Sequence, residues 1–243
     1  MNLVVDIGNT RTKAALYNGT TLVESRHYAI PNDVLNDISF IKQAQKAIIG
    51  TVVDNIEYFL NQLKSLIPTQ LFTTQTPIPL INRYQTASTL GSDRLAAAMA
   101  AYYLYPNTNT LTIDAGTCIK YNFTTIQNEY IGGGISPGIL MRFKALHHFT
   151  SKLPLIDPDF SYSDLIGNNT HNSILSGVLN GASAEVDEII NRYKVQYPNL
   201  LCVLTGGDSE YLSKQLKNTI FTHQNLVLAG LNHILNYNLE NHH

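Results

Sequence analysis

The chain has 243 residues, 44% of them hydrophobic and 14% charged, and its net charge is −2. Such a chain is long and apolar enough for one large globular domain or two smaller ones, and it is not a disordered polymer. A near-neutral chain without a basic stripe argues against nucleic acid as a partner, and no apolar run approaches the roughly 20 residues that a membrane-spanning helix needs.

Residues 2–6 are an apolar run closed by a glycine turn, which predicts a buried strand. Strands at 12–17 and 21–28 follow, joined in tight hairpins, the second at Asn18-Gly19. An apolar, β-branched run predicts a strand at 47–53, helical spacing covers 55–66, and a short strand is expected at 71–73. An alanine-rich helix spans 95–105 and stops at Pro106. The pattern then restarts. Strands are expected at 110–114, 119–124 and 129–135, then a helix from Ser136 to about His148 with Pro137 in its first turn. A longer helix spans 170–193 with small residues on one face. A strand at 200–205 and helices at 209–217 and 227–239 complete the chain; His242 and His243 are set aside. Cys118 and Cys202 are far apart and read as free thiols of a reducing compartment. The N-terminal residues MNLVVDIG do not read as a secretion signal, so the expected location is cytoplasmic.

Two segments echo each other. Asp6-Ile7-Gly8-Asn9-Thr10 and Asp114-Ala115-Gly116-Thr117 both place an aspartate at a strand end, then a spacer, a glycine and a threonine. Each opens a set of strands that gives way to helices. This implies an α/β protein of two similar halves, 1–108 and 109–243. A glycine there lets the backbone turn tightly against a phosphate, with amides and hydroxyls facing its oxygens. Asp6 is placed to support Mg²⁺, through water because Mg²⁺ keeps much of its hydration shell, and Lys13 adds positive charge. Each segment alone also reads as an ordinary Asp/Gly turn. Gly91-Ser92-Asp93-Arg94 opens the alanine-rich helix. Asp93 suits a helix start, but Arg94 beside it opposes the helix dipole, which suggests another purpose. Arg94 could pair with a substrate carboxylate, and Asp93 could accept a proton from a substrate hydroxyl. The run Gly132-Gly133-Gly134-Ile135-Ser136-Pro137-Gly138 and the turn Thr205-Gly206-Gly207-Asp208 suit either phosphate and nucleotide contact or plain strand-to-helix turns. The eight histidines show no metal-ligand spacing.

Taken together and in this order, these motifs, with Gly167-Asn168-Asn169-Thr170, resemble the type III pantothenate kinases of the acetate-and-sugar-kinase/actin-like superfamily. The resemblance covers nearly the whole chain. It implies two ribonuclease-H-like (actin-like ATPase) halves, each a mixed sheet with helices, and an ATP cleft between them. It implies phosphorylation of pantothenate by ATP as the first step of coenzyme A synthesis. Asp6, Ile7, Gly8, Asn9, Thr10, Arg11, Thr12 and Lys13 would form the ATP phosphate loop, and Thr117 would also contact ATP. Asp93 would be the catalytic base. Tyr84, Gly91, Ser92, Asp93, Arg94 and Thr170 would bind pantothenate, Thr170 across a homodimer interface. Asp114 would hold a monovalent cation, K⁺ or NH₄⁺. Ser92 stands where the family usually has alanine, and Cys118 follows Thr117 where a small residue is common. Two other readings are a non-catalytic transcriptional accessory relative and a kinase for another small hydroxy acid or sugar.

Overall fold

A computed structural model describes residues 1–241; His242 and His243 lie outside the described residues. Three strands come first, β1 (Asn2–Ile7), β2 (Thr12–Asn18) and β3 (Thr21–Tyr28), then two short helices, α1 (Pro31–Leu35) and α2 (Ile38–Ile41). Strand β4 (Lys46–Thr51), helix α3 (Glu57–Leu66) and strands β5 (Thr69–Leu71) and β6 (Ile81–Asn82) lead to helix α4 (Ser92–Leu104). The chain continues through β7 (Thr110–Ala115), β8 (Cys118–Thr124), β9 (Glu129–Gly132) and β10 (Ile135–Pro137) to α5 (Ile139–His148) and the long helix α6 (Thr170–Gln196). Strand β11 (Leu201–Thr205), helix α7 (Ser209–Gln215), strand β12 (Phe221–Thr222) and helix α8 (Leu226–Asn241) complete it.

These elements form two compact units. One holds residues 1–107 and 124–132 together with the chain from 225 onward; the other holds 108–123 and 133–224. The simple division after residue 108 therefore leaves out two returns of the chain to the first unit. The later return has a clear cause, because α8 packs on α4, β1, β2 and β4.

In the first unit the sheet order is β3-β2-β1-β4-β5. Strand β1 runs antiparallel to β2 and parallel to β4, and β5 is parallel to β4. The middle of central strand β1, Leu3 to Val5, is apolar and fully buried because both its faces are covered. Leu3, Val5 and Ile7 point into a core with Val34, Phe40, Phe59 and Leu63 of α1, α2 and α3. Val4 points the other way, into a core with Leu95 and Met99 of α4 and Leu228 and Leu231 of α8. The alanines of α4 are small because α8 crosses it closely. A β-carbon added to Gly230 would sit 1.8 Å from the Ala96 carbonyl oxygen.

The second unit repeats this order as β10-β8-β7-β11-β12. Here β11 is parallel to β7 and β12, while β10 is antiparallel to β8. Its core joins Leu111, Ile113 and Ala115 of β7 to Phe143 of α5, Leu179 and Val186 of α6 and Leu212 of α7. The repeated order is the internal duplication that the two Asp-x-Gly segments announced.

Two expected elements differ. The single strand expected at 129–135 is broken, because Gly132 and Gly133 take φ of +120° and +151°. A side chain at Gly133 would strike the Tyr121 carbonyl oxygen at 2.0 Å. Helix α5 starts at Ile139 with Gly138 as its N-cap, rather than at Ser136. Ser136 and Pro137 are instead paired with Ile119 and Cys118 of β8.

Candidate active site

In the first unit, the end of β1 and the start of α4 are brought together through β4. Asp6 lies opposite Lys13 on β2 and beside Gly50 on β4. The connecting turn is closed by the Gly8 amide donating to the Arg11 carbonyl at 3.2 Å, and it leaves Asn9, Thr10 and Arg11 exposed while Thr12 is buried. Next to it the Val52 amide donates to the Ile7 carbonyl at 3.1 Å. The Ser92 hydroxyl donates to the Thr51 carbonyl at 2.7 Å, tying the first turn of α4 to this strand end. Ser92 thus makes a specific connection.

Asp93 occupies the second position of α4, and its Oδ1 accepts the Arg94 amide at 2.8 Å. That bond fixes the direction of the carboxylate. It also explains Gly91, where a β-carbon would lie 2.6 Å from the same oxygen. Arg94 is only 5% exposed. Its guanidinium lies over the Tyr84 ring, 5.4 Å from the centroid, and Tyr84 leans on Tyr130 with ring centroids 6.2 Å apart. The aromatic face of Tyr84 and its hydroxyl, 3.5 Å from Arg94 Nη1, hold the planar cation in place.

In the second unit, Asp114 is paired in register with Thr205 at the end of β11. The turn after β7 is closed by the Gly116 amide donating to the Cys118 carbonyl at 3.0 Å, with Thr117 exposed at its tip. Both glycine-containing segments converge here. The Gly138 amide donates to the Thr117 carbonyl at 3.2 Å, and the Asp208 amide to the Ala115 carbonyl at 3.0 Å. Thr170 is exposed at the first position of α6, where Asn169 caps the helix by accepting the Asn172 amide at 2.9 Å. Tyr84, Gly91, Ser92, Asp93 and Arg94 therefore belong to the first unit, and Asp114, Thr117 and Thr170 to the second.

Two buried polar contacts of the second unit were not legible in the sequence. Lys120 places its ammonium 2.8 Å from Asp114 Oδ2, with both side chains largely buried. Glu185, on α6, accepts Ser136 Oγ at 2.5 Å, Arg142 at 2.5 Å and the Tyr121 hydroxyl at 3.2 Å. Burial would push the Glu185 carboxyl up, but the bonds from Arg142, Ser136 and Tyr121 outweigh it and hold the acid below its ordinary value. Burial and the neighbouring Glu185 charge push the Tyr121 hydroxyl up. The sequence signal for Glu185 is absent, since a lone acid on a long helix ordinarily faces water.

Among the described residues no group of three or more His, Cys, Asp or Glu side chains could cage a metal ion. The donors at the end of β1 are hard oxygens, the Asp6 carboxylate and the hydroxyls and carbonyls of the following turn. Such a set fits Mg²⁺ held through one carboxylate, water and nucleotide phosphates.

Comparison with known proteins gives the family and the fold. The family profile for type III pantothenate kinase matches residues 2–192. A type III pantothenate kinase of Bacteroides fragilis is 45% identical over 240 residues, which cover 98% of both chains. Among solved structures, a Campylobacter jejuni protein described as a candidate Baf family transcriptional activator superposes with a TM-score of 0.67 at 20% identity, covering 98% of this chain and 99% of that one. A candidate N-acetylmannosamine kinase from Listeria monocytogenes gives 0.56 at 12% identity, covering 97% and 99%. At these identities the two structures speak for the fold alone, a mixed α/β architecture.

Proposed function

The chain belongs to the type III pantothenate kinase family, and we propose on that premise that it transfers the γ-phosphoryl group of ATP to the 4′-hydroxyl of pantothenate, giving 4′-phosphopantothenate and ADP. The observation that carries the reading is the pair Asp93 and Arg94 at the start of α4, a directed carboxylate beside a buried guanidinium. An acceptor with one hydroxyl to activate and one carboxylate to pair calls for these two groups.

Asp93 would accept the hydroxyl proton. A carboxylate is a weak base, which suffices because the phosphoryl transition state is loose and the proton leaves late. The bond from the Arg94 amide spares the reorientation of that carboxylate during reaction. Arg94, steadied by Tyr84, would pair with the pantothenate carboxylate, Gly91 and Ser92 would complete that contact, and Thr170 would reach it across the homodimer interface. The turn from Asp6 to Lys13 would take the ATP phosphates, with its exposed Asn9, Thr10 and Arg11, and Thr117 would also contact ATP. Mg²⁺ near Asp6 would neutralise charge on the β- and γ-phosphates. The family's expected monovalent cation at Asp114, K⁺ or NH₄⁺, meets a carboxylate that already carries Lys120.

The same reading makes the protein a cytoplasmic homodimer. Support for the dimer comes from α6, where Gly177, Gly181 and Ala184 form an exposed stripe preceded by Leu165 and Ile166, 77% and 82% exposed. Sedimentation at micromolar concentration should give twice the chain mass; a monomer there would remove the dimer. No helix among the described residues is long and apolar enough to cross a membrane.

The deciding measurement is ADP release with Mg²⁺ and ATP, with and without pantothenate. Release should depend on pantothenate, and Asp93→Asn should lose about 10²–10⁴-fold in rate while melting like the parent protein. No pantothenate-dependent release, or greater turnover with a sugar, would overturn the assignment.

A further inference from the structure

Asp114 and Lys120 stand equally far from Thr117, at the tip of the turn between β7 and β8. The bond from the Gly116 amide to the Cys118 carbonyl sets the register, so Asp114 and Lys120 face each other across the two strands. Their 2.8 Å contact has both partners mostly out of water, with the lysine 21% and the aspartate 17% exposed. The strand backbone, rather than a mobile loop, holds the ammonium on the carboxylate.

We propose that Lys120 is a built-in substitute for the exchangeable monovalent cation at Asp114, so that this enzyme works without added K⁺ or NH₄⁺. This rests on the kinase reading above, which gives the neighbouring Thr117 to ATP. A site that accepts either K⁺ or NH₄⁺ asks for one positive charge of that size, and a lysine side chain ends in such an ammonium. Being tethered, it is present at a high effective concentration whatever the surrounding salt. For K⁺ to enter, the pair must open, and a mostly buried ammonium would lose its counter-charge. Without any cation, the Asp114 carboxylate would stand bare beside the segment that is to meet a polyanionic nucleotide. Lys120 removes that repulsion permanently.

The test compares KCl with choline chloride at equal ionic strength, using the wild-type protein, Lys120→Thr and Lys120→Arg. Two quantities are read, kcat/KM for ATP and the melting temperature without nucleotide. Wild type should give the same values in both salts. Lys120→Thr should lose about tenfold or more in kcat/KM in choline, recover in KCl, and gain a K⁺-dependent rise in melting temperature that wild type lacks. Lys120→Arg keeps the charge and should stay indifferent to K⁺. A wild-type protein activated several-fold by K⁺, or a Lys120→Thr protein as indifferent as wild type, would overturn the proposal. Should no protein release ADP in either salt, the kinase reading fails instead, and the melting temperatures still decide whether Lys120 excludes K⁺.

Discussion

At the scale of single residues, the site depends on small groups as much as on charged ones. Gly91 has φ −59° and ψ 134°, a conformation open to alanine, so its identity is set by what stands next to it. An added β-carbon would displace the Asp93 carboxylate from the Arg94 amide. Gly91→Ala should therefore lower kcat about 10–100-fold with little change in melting temperature; an unaltered kcat would mean that the carboxylate's direction is not important. The aspartates and Arg94 proposed for the site could be read from the sequence because they sit in short motifs with glycine at fixed spacing. Lys120 and Glu185 could not, because their partners are cross-strand or distant in the chain.

At the scale of elements, the long periodic segments were legible and the short ones were not. Strands β1, β2, β4, β7, β8 and β11 follow apolar runs, β3 follows the Asn18-Gly19 turn, and α4, α6 and α8 carry enough turns for their spacing to be read. Helices α1 and α2 have five and four residues, and β6 and β12 have two each, too short for any period to emerge. The start of α5 was misplaced because Pro137 suits a first helical turn, whereas strand pairing with β8 prevailed. The α4–α8 crossing gives a direct stability test. Gly230→Val forces a branched side chain onto the Ala96 carbonyl, and it should destabilise the fold by about 2 kcal/mol or more. The urea midpoint should fall with an unchanged slope; an unmoved midpoint would show that the two helices can separate without loss.

For the whole molecule, the response to acid follows from groups spread over both units. Burial lowers the pKa of His223 and His233, so the unfolded chain takes up protons that the folded chain resists. Stability from these histidines is full at high pH and falls as pH drops below the ordinary histidine value of about 6.5. Glu185 and Asp187 are held below the ordinary carboxylate values despite burial, by Arg142, Ser136 and Tyr121 for Glu185 and by the Lys217 and Asn218 amides and the Asn218 side chain for Asp187. Their contribution is present above the ordinary carboxylate value and disappears as pH falls through the lowered one. Melting temperature should therefore decline in two stages, one beginning near pH 6.5 and another near pH 4. A curve flat from pH 7 to pH 5 would exclude the histidine stage.

Helix α8 also has a consequence in time. The first unit's sheet is complete by β5, yet the face of β1 that carries Val4 is covered partly by Leu228 and Leu231. During synthesis those residues leave the ribosome only after the whole second unit has emerged. The nascent first unit must wait with this apolar face only partly covered, by α4, while the second unit, whose strands and helices lie between, can close before it. The order of folding would then reverse the order of translation.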